Sequence, residues 1–230
     1  MVETLKAQFI LNFVAKDRWK LLINGLVITL EITALAVILG LVLGFSVAVI
    51  RNVYDNTKRL KALNFICNIY LTVIRGTPVV VQLLIIYFVI FGSIRVDKTL
   101  AAVLAFGINS GAYQAEIFRS GINSIPKGQM EAGRSLGFSY VQTMISIIMP
   151  QAIKNVLPTL ANEFIVLLKE TSVAGYIALE DLTKAGDIIR SRTYTAMMPF
   201  LAVALIYLIM VMLFGYLVKL LERRMARSVR

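Results

Sequence analysis

Glu163 lies thirteen residues beyond Pro150 in an otherwise apolar stretch, and no lysine or arginine stands three or four positions away to pair with it. At 1.5 Å per residue that separation is roughly 20 Å along a helix, which puts the carboxylate at mid to outer depth in a bilayer. Lys169 is six residues on, and Thr159 and Asn162 are merely polar. A charge in hydrocarbon is costly, so this group must be protonated, paired across helices, or open to a cationic ligand. The ammonium of an amino acid, or a guanidinium, would serve as that ligand; a structural bond to a neighbouring helix is the alternative. Asn162 beside it, and Asn109, Ser110 and Tyr113 on another apolar stretch, offer neutral hydrogen bonds if those helices face one pathway.

Three other ionisable residues interrupt apolar runs. Glu116 has Arg119 three positions on, within reach on one helical face, and reads as a structural pair. Arg75 precedes Gly76-Thr77-Pro78, where proline removes a backbone donor, so its guanidinium is expected to bond the freed carbonyls; binding a substrate carboxylate is the alternative. Glu31, flanked by Thr29 and Thr33, reads as structural. The chain holds no histidine, which excludes H-E-x-x-H zinc sites, His-based triads and imidazole relays. No G-x-x-x-x-G-K-[ST] occurs, and Lys127-Gly128 lacks the glycine-rich cradle for phosphates, so no nucleotide or other cofactor is expected on this chain and it is not expected to be an enzyme. Cys67, the single cysteine, reads as a packed small hydrophobe.

The elements that must position these residues are membrane-spanning helices. Of 230 residues 58% are hydrophobic and 16% charged, a composition foreign to a soluble domain. The net charge of +11 sits between and beyond the apolar runs, which favours lipid headgroups over nucleic acid. A span needs about 20 apolar residues. Residues 21–50, 63–91 with a proline kink, 99–118, 141–168 and 194–221 supply five, in one all-α polytopic membrane domain over residues 1–230. Gly40 and Gly44 form a G-x-x-x-G that lets the first helix pack closely. Residues 1–20 read as mature sequence and as an interfacial amphipathic helix with Phe9, Ile10, Phe13 and Val14 toward lipid. Lys219, Arg223, Arg224, Arg227 and Arg230 argue for a cytoplasmic C-terminus, which places the N-terminus and the polar loop 169–192 outside.

The loop at 119–140 is then cytoplasmic. Small residues Ala132, Gly133 and Gly137 would let a partner's backbone approach, with Glu131 and Arg134 as charged contacts at the rim; a mere helix–turn with those two paired to each other is the alternative. The series Glu131-Ala132-Gly133, Gly137, Ile147 and Pro150 resembles the E-A-A-x3-G-x9-I-x-L-P signature of ATP-binding-cassette importer permeases, with Gly133 and Met149 as mild departures. Ala112-Tyr113-Gln114-Ala115-Glu116-Ile117-Phe118-Arg119, Arg75-Gly76-Thr77-Pro78 and Leu168-Lys169-Glu170-Thr171-Ser172 resemble its polar amino acid branch, the histidine, glutamine and arginine permeases. The resemblance implies a type I importer permease fold with a cytoplasmic coupling helix, in a bacterial inner membrane. It implies a second permease copy or paralogue, an ATPase dimer that carries ATP and Mg, and an extracytoplasmic amino acid-binding protein. The expected substrate is a polar amino acid, with arginine, lysine or histidine favoured by the acid. The alternative is a gradient-driven secondary transporter or channel with Glu163 as its ion site.

Overall fold

The structure, a computed structural model, describes residues 2–227; residues 1 and 228–230, with Arg230 of the cationic tail, lie outside it. All described regular structure is helical. The spine is α2 (Trp19–Thr57), whose 39 residues reach ~58 Å. Its buried positions, among them Gly25, Thr29, Ile32, Thr33, Ala36, Gly40, Gly44 and Ala48, recur every three or four residues as one stripe of small side chains. At Gly40 and Gly44 that stripe meets α5 (Lys98–Asn123) backbone to backbone. A Cβ on Gly44 would stand 2.9 Å from the Gly111 carbonyl oxygen and 2.9 Å from the Ala115 nitrogen, so the close packing expected of the G-x-x-x-G is realised against α5.

The proline kink is a break. α3 (Lys61–Arg75) and α4 (Val79–Leu84), which continues as a wide π-helical turn over Ile85–Ile90, are bent by 109° at Gly76-Thr77-Pro78. Pro78 is extended (φ −65°, ψ 138°) and starts α4. The carbonyls freed there are taken up by Gln82, whose Nε2 donates to Ile74 O (2.8 Å) and Thr77 O (3.0 Å). Arg75, expected in that role, turns elsewhere.

α6 (Lys127–Ser135) and α7 (Tyr140–Thr143) form the loop; α8 (Met149–Glu170) follows through a π turn, Met144–Ile148, and ends in a 3-10 turn, Thr171–Ile177. α10 (Met197–Arg227) closes the chain. Three segments are long and apolar enough to cross a membrane: α2, Tyr140–Ile177 and Met197–Met225, with the bent pair a fourth if it is one span. α5 has the length, ~39 Å for 26 residues, but not the apolarity. It is the central helix, and its buried Asn109, Ser110 and Gln114 bond to protein rather than facing lipid.

Two further regions depart from the sequence reading. After α1 (Val2–Phe9) the chain tucks Asn12 and Phe13 into the core, so Phe13 packs with Leu22, Leu182 and Ile189 while Phe9, Ile10 and Val14 stay exposed. Asn12 Oδ1 accepts from the Thr193 hydroxyl (2.9 Å) and the Thr195 hydroxyl (2.7 Å), an attachment no amphipathic pattern announces. The polar stretch 169–192 holds α9 (Leu182–Thr193), capped by Asp181, which accepts from the Thr183 and Lys184 backbone N–H groups. A Cβ on Gly25 would meet the Asp181 carbonyl oxygen at 2.8 Å, and Leu182 N–H donates to Thr29 Oγ1 (3.1 Å), so this cap is sealed against α2. Burial pushes the Asp181 carboxyl up to about 6, against the pull of those N–H groups.

Candidate functional site

α5 carries the chemistry because its polar positions face α2, α3 and α8 rather than bilayer. On one side of it a cavity of about 460 Å³ is lined by Arg51, Asn68, Thr72, Arg75, Tyr113 and Glu116. On the other, a second of about 460 Å³ is lined by Tyr113, Glu116, Ser120, Asn155, Thr159 and Glu163. Tyr113 and Glu116 belong to both walls.

The two acids are partnered very differently. Glu116 Oε1 takes Arg51 Nη1 at 2.8 Å and Arg75 Nη1 at 3.5 Å, while Arg119, the expected partner, stands 4.0 Å from Oε2 and 3.7 Å from Asp55. The expected local pair is therefore a three-arginine cluster joining α2, α3 and α5. Arg75 also lies over the Tyr113 ring at 5.9 Å. Glu163 has no cation; its Oε1 accepts the Ser110 hydroxyl at 3.3 Å, across from α5 to α8. Among the described residues no lysine or arginine pairs with it.

Of the residues singled out from sequence, Glu163 and Tyr113 line the second cavity, and Ser110, fully buried, is joined to it only through its hydrogen bond to Glu163. Asn109 is buried and donates to Gln82 Oε1 (3.0 Å), pinning α5 to α4 away from it. Asn162 is exposed and does not line that cavity. Glu31 is exposed on α2 while Thr29 and Thr33 beside it are buried. Arg51, Asn155, Thr159 and Gln114 were missed. Ser110 and Gln114 at i, i+4 were the one local signal, since Gln114 Nε2 donates to the Ser110 hydroxyl at 2.8 Å.

The loop is built from its own hydrogen bonds. Phe138 N–H reaches Gly133 O (3.2 Å) and Gly137 N–H reaches Arg134 O (3.1 Å), a Schellman ending for α6. That ending requires Gly137 at φ +86°, where nothing lies within 4 Å of its missing Cβ. Gly133 is turned inward: a Cβ there would stand 2.5 Å from Thr143 Cγ2 and 3.2 Å from Ile147 Cδ1. Thus Gly137 serves the loop's turn with open space beside it, and Gly133, expected to admit a partner, is instead filled by the loop's own Thr143 and Ile147. Glu131, Ala132 and Arg134 are exposed, with Leu136 77% exposed beside them. Glu131 and Arg134 form no ion pair; Arg134 donates to Phe138 O at 3.3 Å.

Apolar helices of spanning length around a polar central helix flanked by charge-lined cavities define a multi-pass membrane transport protein. Residues 36–227 match the family of binding-protein-dependent transport system inner membrane components, and this chain belongs to it. It is similar to a putative glutamine transport system permease protein GlnP of Rickettsia typhi, 40% identical over 206 residues that cover 89% of this chain and 92% of the other. It is 36% identical over 206 residues, with the same coverage, to the arginine transport system permease protein ArtQ of Bacillus subtilis. Among solved structures it matches a chain of an amino acid ABC transporter crystallised with histidines, at a TM-score of 0.83 and 42% identity over 92% of this chain and 98% of that one.

Proposed function

We propose that this chain is the permease subunit of an ATP-driven importer of polar amino acids, with Glu163 as the anion that receives the substrate's cationic group. The observation that carries the reading is a carboxylate without a cationic partner lining a cavity of about 460 Å³ beside the central helix of a member of this family. Tyr113 shares the cavity wall with it and Ser110 donates to it from behind that wall; Asn109 and Asn162 do neither. Relatives named for glutamine and arginine support the substrate class. An acid unpaired among the described residues favours a basic amino acid through its guanidinium or side-chain ammonium, and the same acid could hold the α-ammonium of any amino acid.

The rest of the assembly follows from the family reading. The bent pair and α5 complete five spans, with the N-terminus outside and the C-terminus cytoplasmic. α6 is the coupling helix: Glu131, Ala132 and Arg134 meet a cytoplasmic ATPase dimer, while Gly133 and Gly137 hold its shape. ATP and Mg reside on that dimer. A second permease copy or paralogue completes the membrane unit, and a binding protein delivers substrate from outside. ATP-driven closure of the dimer moves the docked loops and switches which side the pathway opens to.

The test is binding of radiolabelled arginine and glutamine to this chain purified in nanodiscs with its co-encoded ATPase. Binding that weakens about tenfold in Glu163→Gln supports the reading. Substrate uptake by this chain alone, driven by an ion gradient without an ATPase, would refute it. For the loop, Gly137→Ala strains the φ +86° turn by about 1 kcal/mol and should weaken association with the ATPase; unchanged co-purification and transport would count against the docking role.

A further inference from the structure

Gln114 is 1% exposed, and its Oε1 has no hydrogen-bond partner. A buried acceptor left unsatisfied destabilises a fold, and an apolar side chain of the same shape would not carry that cost. Only the other end of the amide is used: Nε2 donates to the Ser110 hydroxyl at 2.8 Å. A hydroxyl oxygen that accepts one hydrogen bond still holds one proton to give. With Gln114 on one side of Ser110, the remaining acceptor within reach is Glu163 Oε1, at 3.3 Å.

The spine helix is shaped around this amide. A Cβ on Gly40 would come within 2.7 Å of Gln114 Nε2, and one on Gly44 within 2.8 Å of Gln114 Cβ. The glycine pair therefore does more than bring two helices together, since it leaves the notch in which the amide lies. The series α2 notch, Gln114, Ser110, Glu163 crosses three helices and ends at the cavity.

We propose that Gln114 is a positioning residue for substrate binding: held in the Gly40–Gly44 notch, it orients the Ser110 hydroxyl so that its proton fixes the Glu163 carboxylate toward the cavity. This rests on the reading of Glu163 as the substrate's partner. Gln114 itself touches no substrate and acts through Ser110. A carboxylate held in one orientation before the ligand arrives loses less freedom on binding, which raises affinity without a new contact.

The experiment uses the permease–ATPase complex in nanodiscs, with radiolabelled arginine as probe and amino acid-stimulated ATPase as a second readout. Gln114→Met keeps the volume and removes the donor. It is expected to raise the dissociation constant and the half-saturating arginine concentration about fivefold, with the saturated rate kept and the melting temperature equal or higher. Ser110→Ala should raise the dissociation constant similarly. The double variant should bind no worse than Ser110→Ala, because the amide acts only through the hydroxyl. Additive losses, or affinity lost together with thermal stability, would overturn the relay in favour of a packing role. Glu163→Gln separates the two levels. If it weakens binding while Gln114→Met does not, the relay alone fails; if it leaves binding intact, the ligand reading fails and the relay with it.

Discussion

Two carboxylates line one cavity beside α5, and the protein treats them in opposite ways. Glu116 collects three arginines from α2, α3 and α5, with the nearest nitrogen at 2.8 Å. Glu163 receives one neutral hydroxyl at 3.3 Å. The first is neutralised by the chain itself and holds three helices in register. The second remains available to a cation from outside. A charge fully compensated by protein has little affinity left for a ligand, so on the proposed reading the contrast separates a scaffold acid from the substrate's partner. Asp181 gives a third solution, a buried carboxyl held by two backbone N–H groups at a helix start.

The largest effect should come from breaking the scaffold acid. Glu116→Ala leaves three guanidinium groups facing one another without their shared counter-charge and should destabilise the purified complex by about 3 kcal/mol, at the lower end for a broken buried pair because Glu116 is a third exposed. Thermal unfolding in nanodiscs would measure it, and a loss below ~1 kcal/mol would remove the distinction between the two acids. Asp181 comes next. Its carboxyl is raised from 3.8 to about 6 in the folded chain, so the fold binds the proton more tightly than the unfolded chain does. That stabilisation is complete below about 4 and disappears as pH rises through about 6. Asp181→Asn keeps an acceptor for the cap and does not titrate. Above pH 7 it should therefore be the more stable of the two by about 2 kcal/mol, with the difference closing toward pH 4. A variant less stable than the parent at pH 8 would show that the charged cap is the stronger contribution. Glu163→Gln should behave unlike either, with binding about tenfold weaker, or ~1.4 kcal/mol, and stability within ~0.5 kcal/mol of the parent. Equal losses in both would make Glu163 a second scaffold acid.

How far each acid could be read from sequence follows the length of its contacts. For Glu163 the sequence argument was negative, no cation at helical spacing, and among the described residues the fold supplies none. Glu116 was half legible: Arg119 lies on its own helix, but Arg51 is 65 residues away and nothing local announces it. The apolar runs marked α2, α8 and α10 well, since lipid-facing surface is written directly as hydropathy. α5 was expected as an ordinary span, yet it packs in the interior with many of its residues buried, and its composition does not mark it as a span. The break at Pro78 was visible as a proline but not as 109°, because the angle depends on Gln82 satisfying the freed carbonyls from the next helix. The helix α9 was missed inside a polar loop, although Asp181 two residues before Thr183 is an ordinary N-cap signal.

The arginines around Glu116 allow the smallest and sharpest version of the comparison. Arg51 is 17% exposed and 2.8 Å from the carboxylate; Arg75 is 45% exposed and 3.5 Å away. If desolvation sets the worth of an ion pair here, the two substitutions must differ although both remove one guanidinium from the same acid. Arg51→Ala should lower stability by about 1.5 kcal/mol and Arg75→Ala by about 0.5 kcal/mol. Arg75 nonetheless lies over Tyr113, the residue shared by both cavities, so its removal should disturb amino acid binding more than stability. Thermal unfolding and arginine binding measured on the same two variants would separate these contributions. Equal stability losses would mean that the cluster works as one charge-balanced unit in which exposure of a single member does not matter, and Glu116 would then be insulated from the cavities it lines.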